Sequence, residues 1–107
     1  MPGYIIVSID IHDREQMKAY SERVPAIIKA FGGRYLARGA PAQPVEGDFP
    51  FRGITILEFP TVEAAQSFWN SPEYGECKAI RERCSSGRAA IIEGAPGEAP
   101  LPDYLRG

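Results

Sequence analysis

Six side chains in this 107-residue chain have the chemistry to hold or transform a small molecule: His12, Arg38, Glu58, Trp69, Asn70 and Tyr74. Glu58 stands inside an otherwise apolar run, Gly-Ile-Thr-Ile-Leu-Glu-Phe at 53–59. A carboxylate in such a strand is either at a wet end or partly buried beside a cation, because an unpaired buried charge is too costly. Partly buried, it is the best general-base candidate in the chain. His12 is the lone imidazole. It would serve as a base only if aimed into a cleft and held by a partner, and beside a helix cap the commoner role is a solvated turn residue.

Arg34, Leu36 and Arg38 alternate along one strand, which places the two guanidinium groups on the same side. The bland reading is that both lie at the sheet edge, or that one of them pairs with Glu58 on the neighbouring strand. The ligand-binding reading instead pairs Arg38 with Glu58 across two neighbouring strands, leaving Arg38 a free donor for a carboxylate or phosphate. Asn70, Ser71 and Tyr74 cluster at a joint between two helical runs, where capping alone explains Asn70 and Ser71. Tyr74, with Phe68 and Trp69, either lines a pocket between helix and sheet or is plain core. No phosphate-binding glycine loop, nucleophile elbow, zinc spacing or recognisable triad is present, so neither a cofactor nor a metal is expected.

These residues need a scaffold. Tyr4 to Ile11 alternates, with Ile5, Val7, Ile9 and Ile11 on one side and Tyr4, Ile6, Ser8 and Asp10 on the other. Asp13 and Gln16 form a capping box, and Met17, Tyr20, Val24, Ile27, Ile28 and Phe31 continue as a helical stripe. Pro25 predicts a kink or break near Val24. Gly32-Gly33 closes the helix and Arg34 to Ala40 forms a second strand. Gly39 to Pro50, with three prolines and two glycines, is a loop or a frayed hairpin.

The strand carrying Glu58 follows and ends at Pro60. Thr61 caps a helix facing inward with Val62, Ala65, Phe68 and Trp69, and Ser71-Pro72-Glu73 starts another. Arg88 to Gly94 is a short fourth strand, and residues 95–107 read as a Pro/Gly-rich tail beyond a single domain of residues 1–94.

The order is βαβ twice, which predicts a ferredoxin-like βαββαβ sandwich: a four-stranded antiparallel sheet with the helices on one face. The opposite face (Tyr4, Ile6, Ile54, Ile56 and Ile91) is then too apolar for water and predicts a homodimer through the sheet faces. A net charge of −2 excludes an ordinary nucleic-acid surface, and no apolar run approaches the roughly 20 residues of a membrane span. Met1-Pro2-Gly3 lacks the basic start of a signal peptide, so a cytoplasmic location is expected. Cys77 and Cys84, about 10 Å apart along a helix, are too distant for a disulfide and read as reduced thiols.

Four segments, Tyr-Ile-Ile-Val-Ser-Ile-Asp-Ile at 4–11, Gly-Gly-Arg-Tyr-Leu-Ala-Arg-Gly at 32–39, Leu-Glu-Phe-Pro at 57–60 and Trp-Asn-Ser-Pro-Glu-Tyr at 69–74, together resemble the bacterial family called domain of unknown function 1330 (DUF1330). The resemblance covers residues 3 to about 94. It implies a dimeric α+β barrel, a fold shared by cofactor-free monooxygenases, isomerases and stress proteins, and leaves activity open.

The expected function is binding of a small, partly apolar or anionic molecule. The alternative is a cofactor-independent monooxygenase or isomerase acting on a small aromatic or enolate substrate, which needs a base and an apolar cavity. A third possibility is an interaction module with a filled interior. A pocket containing Glu58 or His12 favours the enzyme, and a solid core favours the module.

Overall fold

A computed structural model describes residues 1–95. Four strands and three helices alternate as β1 (Gly3–Ile11), α1 (Arg14–Ala30), β2 (Arg34–Pro41), β3 (Gly53–Phe59), α2 (Val62–Trp69), α3 (Pro72–Cys84) and β4 (Ser85–Glu93). The strands form one antiparallel sheet in the order β2-β3-β1-β4. Each βαβ unit has therefore placed one strand beside the other unit's, as the ferredoxin-like arrangement requires.

Alternation decides what each face of the sheet meets. Ile5 and Val7 of β1 pair with Leu57 and Thr55 of β3, and Ile5, Val7, Leu57 and Phe59 are buried with Val24, Ile28, Ala65, Phe68 and Tyr74 from the helices. Burying a side chain of this size is worth about 1.5–3 kcal/mol, so this inner layer fixes the register. The opposite, outer face carries Tyr4, Ile6, Ile54, Ile56 and Ile92. Ile91 pairs with Ile5 and packs against the core, so the outward isoleucine of β4 is Ile92, not Ile91. The cause is a strand that begins at Ser85, which is also the cap residue ending α3, with no intervening turn.

The helix caps follow the sequence. Asp13 accepts from the Gln16 backbone N–H, Thr61 from Ala64 and Ser71 from Tyr74, over 3.0–3.1 Å. The Gln16 side chain turns to the Asp13 carboxylate, while the backbone N–H groups of His12 and Asp13 both donate to the Cys84 carbonyl and tie the start of α1 to the end of α3. Gly32, at φ 80°, closes α1 in a conformation that costs other residues a Cβ clash. Of the kink or break expected near Val24, the break does not occur: α1 runs through Pro25 as one 17-residue helix. Cys77 and Cys84 are buried free thiols, and Cys84 donates to the Ile80 carbonyl. No helix among the described residues is long and apolar enough to cross a membrane. Of the tail expected at 95–107, all but Ala95 lies outside the described residues.

Candidate functional site

Between α1 and the inner face of the sheet lies a cavity of about 490 Å³. Its deep wall is apolar and aromatic, with Leu57, Phe68, Tyr74 and Ile28 all buried and Trp69 half-buried. Tyr74 is the hub of this wall: its ring centroid is 4.5 Å from that of Phe68 and 5.1 Å from that of Trp69, and its hydroxyl lies 3.0 Å from that of Tyr20 on α1. Burial is the main cause that pushes the phenols of Tyr20 and Tyr35 above their ordinary range, so both are neutral donors near pH 7. The exposed residues around the cavity include three guanidinium groups, Arg14, Arg38 and Arg52, against one carboxylate, Asp10.

Arg38 reaches this cavity because β2 is not regular. Tyr35 pairs with Leu57 but Ala37 pairs with Ile56, so Leu36 is an extra residue; between Ala37 and Ala40 the register shifts again. A single inserted residue reverses the side to which all later residues point. Arg34, before the insertion, faces outward with Glu58, and Arg38, after it, faces the helices. The second irregularity contains Gly39 at φ 61°, whose N–H donates to the Thr55 hydroxyl over 2.9 Å. Arg38 then spreads over the Tyr35 ring, 4.8 Å from its centroid, and donates through Nη2 to the Ser21 carbonyl of α1 over 3.1 Å.

The expected Arg38–Glu58 pair is thus absent, and the reason is the bulge. Glu58 faces outward, where it accepts from Arg34 Nε over 2.8 Å and from the Tyr4 hydroxyl over 3.1 Å. The Arg34 hydrogen bond, followed by the Tyr4 one, holds its carboxyl below the ordinary glutamate value. Being ionised and committed to two donors makes it a poor base. His12 is exposed at the β1–α1 junction and Asn70 is exposed as the cap residue ending α2; neither lines the cavity. Of the six residues singled out by sequence, the cavity brings together Arg38, Trp69 and Tyr74. Tyr20, Tyr35 and Arg52 were missed. The sequence pattern places Tyr20 only in the helical core stripe, and Arg52 stands beside a loop without a periodic signal.

Among curated proteins none matches the chain. Solved structures share its fold at low identity. A protein of unknown function from Rhodopseudomonas palustris, RPA0582, has a TM-score of 0.69 at 17% identity, over 89% of this chain and 83% of that one. A dimeric ferredoxin-like protein of unknown function from Jannaschia sp. has a TM-score of 0.59 at 13% identity, over 88% and 100%. SnoaB, a cofactor-independent oxygenase from Streptomyces nogalater, has a TM-score of 0.62 at 12% identity, over 95% and 98%. The family model described as "Domain of unknown function (DUF1330)" matches residues 2–95, which is most of the chain. By that match, and with the βαββαβ fold to accompany it, the chain belongs to the DUF1330 family.

Proposed function

We propose that the protein is a homodimer, joined through its outer sheet faces, whose inner cavity binds a small, partly apolar anion. The observation that carries the binding half is the cavity's division of labour: an aromatic interior and a surround with three arginines to one aspartate. Apolar walls supply affinity without direction, while a few charged groups select the sign of the ligand.

The dimer half is supported by the isoleucines of the outer face and by the dimeric ferredoxin-like structure from Jannaschia sp.. Light scattering of the purified protein is expected to give twice 11.7 kDa, and Ile6→Asp to abolish that dimer by burying a carboxylate without a cation. A wild-type monomer at micromolar concentration would remove the dimer.

Titration calorimetry with benzoate, benzamide and benzylamine tests the ligand's charge. Benzoate is expected to bind at least tenfold more tightly than the other two, and Arg38→Met to erase most of that preference. Equal binding of all three, or binding of none, would overturn the anion preference.

The alternative, a cofactor-independent monooxygenase or isomerase, is supported by the fold shared with SnoaB and by the presence of a cavity. Its base would have to be Asp10, since neither Glu58 nor His12 lines that space. For that reason the binding reading is preferred.

A further inference from the structure

The cavity holds a second polar feature, deep within the aromatic wall. The hydroxyls of Tyr20 and Tyr74 lie 3.0 Å apart, and either can be the donor. Two hydroxyls carry two protons, and the bond between them uses one. Whichever way it runs, one O–H is left over, together with unused lone pairs. Tyr74 is 2% exposed, so when Tyr20 donates, the unused Tyr74 O–H has no ready access to bulk water, and a buried donor without an acceptor is unfavourable.

An independent feature on α3 is Arg81. It is 6% exposed, its Nε has no hydrogen-bond partner, and no carboxylate among the described residues pairs with it. Its guanidinium lies 5.8 Å from the Trp69 ring centroid, and a Cβ on Gly87 would come within 2.8 Å of its Nη1. Trp69 and Tyr20 both line the cavity, and the charge of Arg81 acts against the upward shift of the Tyr20 phenol. A buried positive charge favours electron-rich oxygen in its neighbourhood.

We propose that the Tyr20–Tyr74 hydroxyl pair is the inner anchor of the cavity, and that its ligands are small planar carboxylates bearing a hydroxyl or carbonyl oxygen at the end opposite the carboxylate. The carboxylate meets Arg38 at the exposed side, the ring lies among Trp69, Tyr35 and Phe68, and the far oxygen takes the spare O–H. This rests on the anion-binding cavity proposed above and adds the inner end of the ligand to it. A volume near 490 Å³ is ample for one such ring.

The test compares two probes of equal length, 4-hydroxybenzoate and 4-methylbenzoate, by titration calorimetry against the full chain and against Tyr20→Phe/Tyr74→Phe. Removing both hydroxyls leaves neither one without its partner, so the double variant is expected to fold; its thermal melt checks this. The wild type is expected to bind 4-hydroxybenzoate about tenfold more tightly than 4-methylbenzoate, the worth of one hydrogen bond. The double variant is expected to lose or reverse that preference while still binding 4-methylbenzoate. Equal binding of the two probes by the wild type, or an unchanged preference in the double variant, overturns the inner anchor and leaves the anion-binding cavity standing. If neither probe binds, the cavity's anion preference falls and the anchor with it. The comparison on the wild type needs no variant, so a misfolded double mutant does not shelter the proposal.

Discussion

Arg38 donates to the carbonyl of Ser21, the residue four before Pro25 in α1. In a helix that carbonyl would accept from the N–H of residue 25, and proline has none. The guanidinium thus replaces the hydrogen bond that Pro25 removes, and the helix runs through the proline as one element. One expected breakpoint and one expected ligand contact turn out to be two ends of the same interaction. If so, the two positions are energetically coupled. Arg38→Met is expected to lower stability by about 1 kcal/mol in the wild type and by much less in a Pro25→Ala background, where Ser21 regains its helical donor. The contact of Arg38 with the Tyr35 ring is present in both backgrounds and cancels. Additive melting shifts in this double-mutant cycle would show that the Ser21 bond is idle.

Glu58 provides a pH signature of the outer face. Its folded pKa lies below the ordinary value because Arg34 and then Tyr4 hydrogen-bond the ionised form. A depressed carboxyl stabilises the fold fully above its unfolded pKa and loses that contribution as pH falls through the folded one. The effect is confined to the acid side, below about pH 4.5. Carbon-13 titration of the Glu58 carboxyl is expected to show its pKa rising in Arg34→Met and unmoved in Arg38→Met. The reverse result would restore the Arg38–Glu58 pairing.

Much of this molecule is legible from its sequence because many of its decisions are local. Asp13, Thr61 and Ser71 cap the helices they precede, and the spacing of Met17, Val24 and Ile28 defines the buried side of α1. The ordering of the sheet follows from two βαβ units. What escapes is phase. A period-two pattern assumes an unbroken strand, and the extra Leu36 reverses it; nothing in Arg-Tyr-Leu-Ala-Arg distinguishes a regular strand from a bulged one. Ile91 escapes for another reason: β4 is regular, but Ala-Ala-Ile-Ile is apolar in both phases and the helix–strand junction at Ser85 has no turn residue to mark it. Long-range bonds such as Arg38 to Ser21 are equally invisible, since each depends on how separate elements dock.

Ser71 joins α2 to α3 and sets the position of Tyr74. Its hydroxyl accepts from the Tyr74 N–H over 3.1 Å and donates to the Phe68 carbonyl over 2.8 Å, and the residue is buried. Ser71→Ala removes both bonds at a site that water cannot easily reach. A loss of about 1–2 kcal/mol is expected, read as a lowered urea midpoint with an unchanged slope. Ser71→Thr, which keeps the hydroxyl, is expected to recover part of it. A neutral Ser71→Ala would mean that the joint is held by packing alone.

Gly39 follows Arg38 in the second irregularity of β2, after the extra Leu36 has turned Arg38 inward. Its φ of 61° lies in the left-handed region, yet a Cβ built there meets nothing within 4 Å. Any cost of Gly39→Ala is therefore conformational and not steric crowding, and about 1 kcal/mol is expected. The chain has a way to relieve it, which is to straighten β2 and abandon the second register shift. That would break the bond from the Gly39 N–H to Thr55 and loosen the strand just beyond Arg38, leaving the Leu36 bulge alone to hold that side chain against Ser21. Gly39→Ala is accordingly expected to weaken benzoate binding several-fold although it removes no side chain from the cavity. Gly39→Asn is expected to preserve more of both stability and binding, because asparagine tolerates the left-handed region better than alanine. If alanine and asparagine behave alike, the positive φ at Gly39 does not help to hold Arg38 in place.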